Sequence, residues 1–153
     1  MTETDRLPKG VWAVIAFHLL NLSLWSVGQT AALVDYDRVA DWGLQDPRSL
    51  VDPVIVQVNQ AIAAADTVVL LPIFAVAVVG LLQKRFFGVV ASWLALGITL
   101  YWPVVFWFSQ SFYGRGGTLH VPISAPTLIV PAAFLVIGAW AAWYLARHRA
   151  LFR

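Results

Sequence analysis

The chain has no cysteine in its 153 residues, which excludes disulfides, thiolate metal sites and thiol nucleophiles. Charge is scarce as well. Asp, Glu, Lys and Arg make up 12% of the residues and hydrophobic types 60%, where a soluble domain has about 25% charged and roughly 45–50% apolar residues. An ordinary water-soluble globular domain is therefore excluded. The basic tail, Arg147-His148-Arg149 to Arg153, is accounted for by membrane topology and anionic headgroups, so no nucleic-acid role is expected.

What is present is a set of long charge-free runs. Gly10 to Val34 gives 25 residues without Asp, Glu, Lys or Arg, Phe86 to Gly114 gives 29, and Gly116 to Ala146 gives 31. Between Asp52 and Lys84 lie 31 residues with one charge, Asp66. About 20 apolar residues suffice for a helix to cross the hydrocarbon core. The sequence thus predicts an all-α, integral membrane four-helix bundle, a single membrane domain over 1–153, with helices at about 11–33, 55–82, 88–110 and 124–146. The first apolar segment is too long for a signal peptide and is read as a retained helix.

Charge outside the spans sets the orientation. The side holding both termini carries Arg6, Lys9, Lys84, Arg85, Arg147, Arg149 and Arg153, with the acids Glu3 and Asp5. The opposite side has Arg38, Arg48 and Arg115, with Asp35, Asp37, Asp41, Asp46 and Asp52. Seven basic residues against three place both termini in the cytoplasm. A chain this compact is expected in a bacterial inner membrane.

Within the spans, polar side chains turn away from lipid, so their periodicity locates the interior. His18, Asn21, Trp25 and Gln29 share a face of the first helix. Asn59 and Asp66 share one on the second, with Gln60 and Thr67 displaced by a residue. Ser92, Thr99, Trp102, Phe106 and Ser109 form a stripe on the third, with Gln110 near its outer end, and the fourth is nearly featureless. At about 1.5 Å per residue, Asp66 lies about 4 Å from the bilayer centre and His18 about 6 Å to the cytoplasmic side of Asn21. Asn21 is then expected to meet Asp66 directly and His18 to meet it through a water. The candidate ligand- or proton-binding residues are Asp66, His18, Asn21, Asn59, Gln60, Thr99, Trp102 and Trp25.

Three roles fit this cluster: a hydrogen-bonded Asp66 that fixes helix register, a proton, cation or small-ligand site, or an Asp66–His18 acid/base pair. No nucleophile or phosphate loop accompanies the pair, so the balance tilts away from an enzyme. His18, His120 and His148 fall at three different levels, which argues against bis-histidine haem and zinc, and no cofactor or metal is expected.

Asp35, Asp37 and Asp41 lack the glycine and bidentate Glu of a calcium loop, having Ala40 and Asp46 in those places. Residues Tyr36 to Leu44 are expected to form a short interfacial helix with Val39 and Trp42 in the headgroups. Arg115, in a glycine-rich turn of a loop from Ser111 to Pro126, is expected to reach the first loop's aspartates. Pro72, Pro103 and Pro131 are expected to kink their helices. Gly138, Ala142 and Ala146, and likewise Ala61 and Ala65, read as packing surfaces within the bundle or between subunits.

The function expected from sequence is a non-catalytic accessory, assembly or ligand-binding subunit. A small proton- or cation-coupled transporter or channel, working as an oligomer, is the alternative, and a membrane enzyme acting on a lipid-like substrate is the second. The expected partners are the bilayer, a membrane protein or further copies of the chain, and a small apolar ligand.

Overall fold

A computed structural model describes residues 6–118 and 124–153. Glu3, Asp5 and His120 lie outside the described residues. Four helices are long and apolar enough to span a membrane: α1 (Lys9–Val34), α3 (Pro53–Leu82), α4 (Phe86–Gly116) and α5 (Ala125–Arg147). A short helix, α2 (Tyr36–Asp41), lies in the first connection. No strand occurs among the described residues.

Local signals set the helix ends. Asp52 caps α3 by accepting from the Val54 N–H at 2.8 Å, with Pro53 in the first turn, where its missing N–H costs nothing. Ser124 and Thr127 form a reciprocal capping box at the start of α5. The end of α3 is closed by Lys84 N–H to Leu81 O (3.1 Å) and Arg85 N–H to Gly80 O (2.9 Å). These bonds hold Lys84 at φ 54, a position usually given to glycine. A cation there is favoured by the negative end of the helix dipole.

The end of the molecule with this hairpin and the residues flanking α1 and α5 is termed the tail end; the end with α2 is the loop end. At the tail end, α3 and α4 touch through glycine. A Cβ added to Gly80 would collide with the Gly88 backbone, and the reverse holds too. Gly10 likewise lies against the Tyr144 ring. A core of Val11, Val14, Val78, Leu81, Val89 and Leu145 forms around these approaches, and Phe152 inserts into it from beyond α5. The Arg153 N–H donates to Lys84 O and the Phe86 N–H to Arg153 O, both at 3.0 Å, so the chain after α5 is clasped to the hairpin.

The loop end has a second, smaller core. Tyr36, Val39 and Ala40 of α2 pack on Ala32, Val51, Ile55 and Val56. Val39 is 1% exposed, so it faces protein rather than the headgroups expected for it, whereas Trp42 is exposed. The tail-end half of α3 packs along α4, but its loop-end half packs chiefly against the end of α1.

Several expectations change. Helix α4 continues to Gly116 instead of ending near residue 110, about 9 Å further at the helical rise. Gly114 and Gly116 are thus helical, and the turn is made at Gly117, with φ 69. Arg115 makes no ion pair among the described residues; the two loop aspartates that are paired take their cations from within the loop. Arg48 pairs with Asp37 at 2.9 Å, and Arg38 with Asp35 at 3.8 Å. Ala61 and Ala65 are exposed on the outside of the bundle, so they do not pack within it; the small residues of α3 buried inside are Ala63, Ala77 and Gly80.

Candidate functional site

Neither α1 nor α3 is a uniform α-helix. Residues Ser26–Thr30 and Asp66–Leu70 each form one π turn, closed by Ala31 N–H to Ser26 O and Leu71 N–H to Asp66 O. Such turns insert one residue and are frequent at functional sites. Beside the second stands Pro72. In a regular helix its ring would strike the carbonyl four residues back, and a wider turn just before it relieves that contact.

The two π turns face each other. Their link is a hydrogen bond of 2.8 Å between the Thr30 and Thr67 hydroxyls, and Thr67 also donates to Ala63 O at 2.8 Å. From the loop end, Gln45 donates its amide to the Gly28 carbonyl inside the first π turn at 2.9 Å. This serves an oxygen at a widened turn where the helical ladder is interrupted.

The sequence-derived residues fall into separate sets around this joint. Asn21 and Thr99 do meet: the Thr99 hydroxyl lies 3.5 Å from the Asn21 side-chain oxygen, at the limit of hydrogen bonding. Each is held firmly by its own helix, Asn21 donating to Phe17 O at 2.8 Å and Thr99 to Ala95 O at 3.0 Å. Trp25 meets Trp102 edge-on at 5.2 Å, and Trp102 stacks on Phe106 at 5.5 Å. The buried Trp25 indole N–H has no partner among the described residues.

Asn59 turns to the loop, where its side chain hydrogen-bonds Tyr36. The Tyr36 hydroxyl donates to Asp46 O at 2.9 Å, and Arg48 lies over its ring at 4.5 Å. Burial pushes the Tyr36 hydroxyl pKa up, with the Asn59 bond opposing it. Burial likewise pushes the Asp46 carboxyl up, against a hydrogen bond from Gln110. Gln60 lines a hollow of about 280 Å³ with Arg48, Pro53, Val56 and Gln57.

Asp66 is partly buried at the start of the π turn, and no hydrogen bond or ion pair reaches its carboxylate from the described residues. The expected Asn21–Asp66 contact is absent, because Asn21 is committed to Phe17 and Thr99. His18 is fully buried against the Phe74 ring at 5.6 Å, with both ring nitrogens unpartnered among the described residues. Phe74 is eight residues past Asp66, about 12 Å along the axis at the helical rise. His18 and Asp66 are thereby at different levels, and no acid/base pair is assembled. Among the described residues no three His, Asp or Glu side chains converge as metal ligands.

Sequence reading missed the paired π turns, the Thr30–Thr67 bond and Gln45. Pro72, six residues past Asp66, carried a signal for the second π turn; the first has no comparable mark. No protein-family model, curated protein or solved structure matches the chain.

Proposed function

We propose that the chain is a non-catalytic accessory, assembly or ligand-binding subunit whose working surface is the Asp66 region of α3. One observation carries the reading: a mid-span carboxylate with no partner among the described residues, on a turn flanked by the exposed Val68 (73%) and Val69 (54%). An ionisable group at that depth is costly unless paired, so a polar or cationic group of a partner span or bound molecule is the natural complement. Lys9, Arg115 and Arg147 stand at the ends of their helices and no Lys or Arg lies at mid-span, so a second copy supplies no cation at the depth of Asp66. The excess of basic residues at the tail end supports a cytoplasmic location for that end, and the compact chain a bacterial inner membrane.

Two substitutions test the reading. Asp66→Leu removes a costly group from the isolated chain, so its melting temperature in detergent is expected to stay level or rise. The same variant should lose whatever protein or small molecule co-purifies with the wild type, identified by mass spectrometry. Asp66→Asn, which keeps hydrogen bonding, should retain part of it. If both variants keep the bound species and the cellular phenotype, the reading fails.

The two π turns beside Asp66 favour a second reading, a proton or cation site in a transporter. Proteoliposomes that dissipate a pH gradient with the wild type, but not with Asp66→Asn, would favour it over the first.

A further inference from the structure

A groove of about 450 Å³ runs along the outside of the α3–α4 hairpin, lined by Pro72, Ile73, Val76, Phe86, Phe87, Val90, Ala91 and Leu94. Its origin is steric. Gly80 and Gly88 bring the two backbones together near the turn, and the small side chain of Ala91 leaves space between Ile73 and Val76 on one wall and Phe87 and Leu94 on the other. From Phe86 to Leu94 it extends about 12 Å along α4 at the helical rise. The lining is wholly apolar, and Phe86 and Phe87, each 47% exposed, stand at its tail-end mouth.

At that mouth the next residue is Arg85, which is exposed and makes no ion pair among the described residues. Lys84 precedes it, and Arg153 is fixed beside both by its backbone bonds to Lys84 and Phe86. A hydrocarbon slot that opens beneath a cluster of cations matches one chemistry: an acyl chain with an anionic headgroup. We propose that this groove is a binding site for an anionic phospholipid, one acyl chain lying over Ala91 and the phosphate meeting Arg85. The site is independent of Asp66, which lies further toward the loop end and does not line the groove.

Native mass spectrometry of the full-length chain in detergent, titrated with phosphatidylglycerol and phosphatidylcholine of identical acyl chains, tests this. Phosphatidylglycerol is expected to bind in one stoichiometric step and phosphatidylcholine more weakly. Arg85→Gln should weaken phosphatidylglycerol about fivefold, the effect of one basic residue near an anionic headgroup, and weaken phosphatidylcholine, whose phosphate charge is offset by choline, by clearly less. Ala91→Phe and Val76→Trp, which fill the groove from opposite walls, should each remove the stoichiometric step for both lipids. Agreement between the two filling variants, with melting temperatures kept, separates occlusion from misfolding. The proposal is overturned if both filling variants bind like the wild type. It is also overturned if Arg149→Gln, a basic residue of the same end outside the hairpin, weakens binding as much as Arg85→Gln, since that pattern marks annular lipid only.

Discussion

At the tail end, α3 and α4 meet backbone to backbone through Gly80 and Gly88, and Phe152 completes an apolar core. At mid-span, between this core and the smaller core of the loop end, α1 and α3 meet through two hydroxyls at paired π turns, and a glutamine from the loop supports one of them. The first joint depends on shape and has little tolerance for added atoms. The second depends on a few polar bonds, each worth only about 0.6 kcal/mol on average within a membrane. Rigidity and adaptability are thus segregated along the bundle axis, and Asp66 lies at the adaptable joint.

The largest expected effect of a substitution is at the glycine contact. Gly88→Leu must push two backbones apart, and is expected to cost about 3 kcal/mol or more, at or above the usual range for overpacking. Reversible unfolding in mixed micelles would report it; a loss below about 1 kcal/mol would mean that the hairpin is not close-packed. Phe152→Ala comes next, with about 3 kcal/mol lost on emptying a buried aromatic site. The same unfolding assay applies, and a silent result would detach the residues after α5 from the tail-end core.

The mid-span joint should respond far less. A double-mutant cycle on Thr30→Val and Thr67→Val is expected to give a coupling of about 0.6 kcal/mol. A coupling as large as the Gly88 loss would erase the contrast between the two joints.

The smallest effect is a pH dependence at the loop. Burial raises the Asp46 carboxyl above its ordinary value of 3.8, so the folded state holds this proton more tightly than the unfolded state. The contribution is therefore favourable at acidic pH and is lost as pH rises from about 4 through the raised value. Asp46→Asn should raise the melting temperature at pH 7 and give no gain at pH 3.5. Equal gains at both values would show that the carboxyl does not titrate differently on folding.

The spans were legible because apolar length is a composition-level property that survives any detail of packing. The inward faces were legible for the same reason: His18, Asn21, Ser92 and Thr99 are all buried, as three- and four-residue spacing implied. Partnerships were not. A helical wheel assumes one phase along a helix, and a π turn at 26–30 and another at 66–70 each shift that phase by about one residue. Depth counted from the helix ends put Asn21 opposite Asp66, yet it could not show that Phe17 O and Thr99 already occupied the Asn21 side chain. Val39 illustrates a different limit. Its apolar face was read as lipid-facing because nothing in the local pattern distinguishes a membrane surface from Ile55 and Val56.

The clasp at residues 152–153 has a consequence for biosynthesis. Phe152 and Arg153 leave the ribosome after all four spans, yet they close the core around α1, α3 and α4 and pair with both sides of the hairpin turn. Insertion of the spans and consolidation of the bundle are therefore separable in time. Until Phe152 and Arg153 emerge, the tail-end core lacks the ring that completes it and the hairpin turn lacks two of its backbone partners.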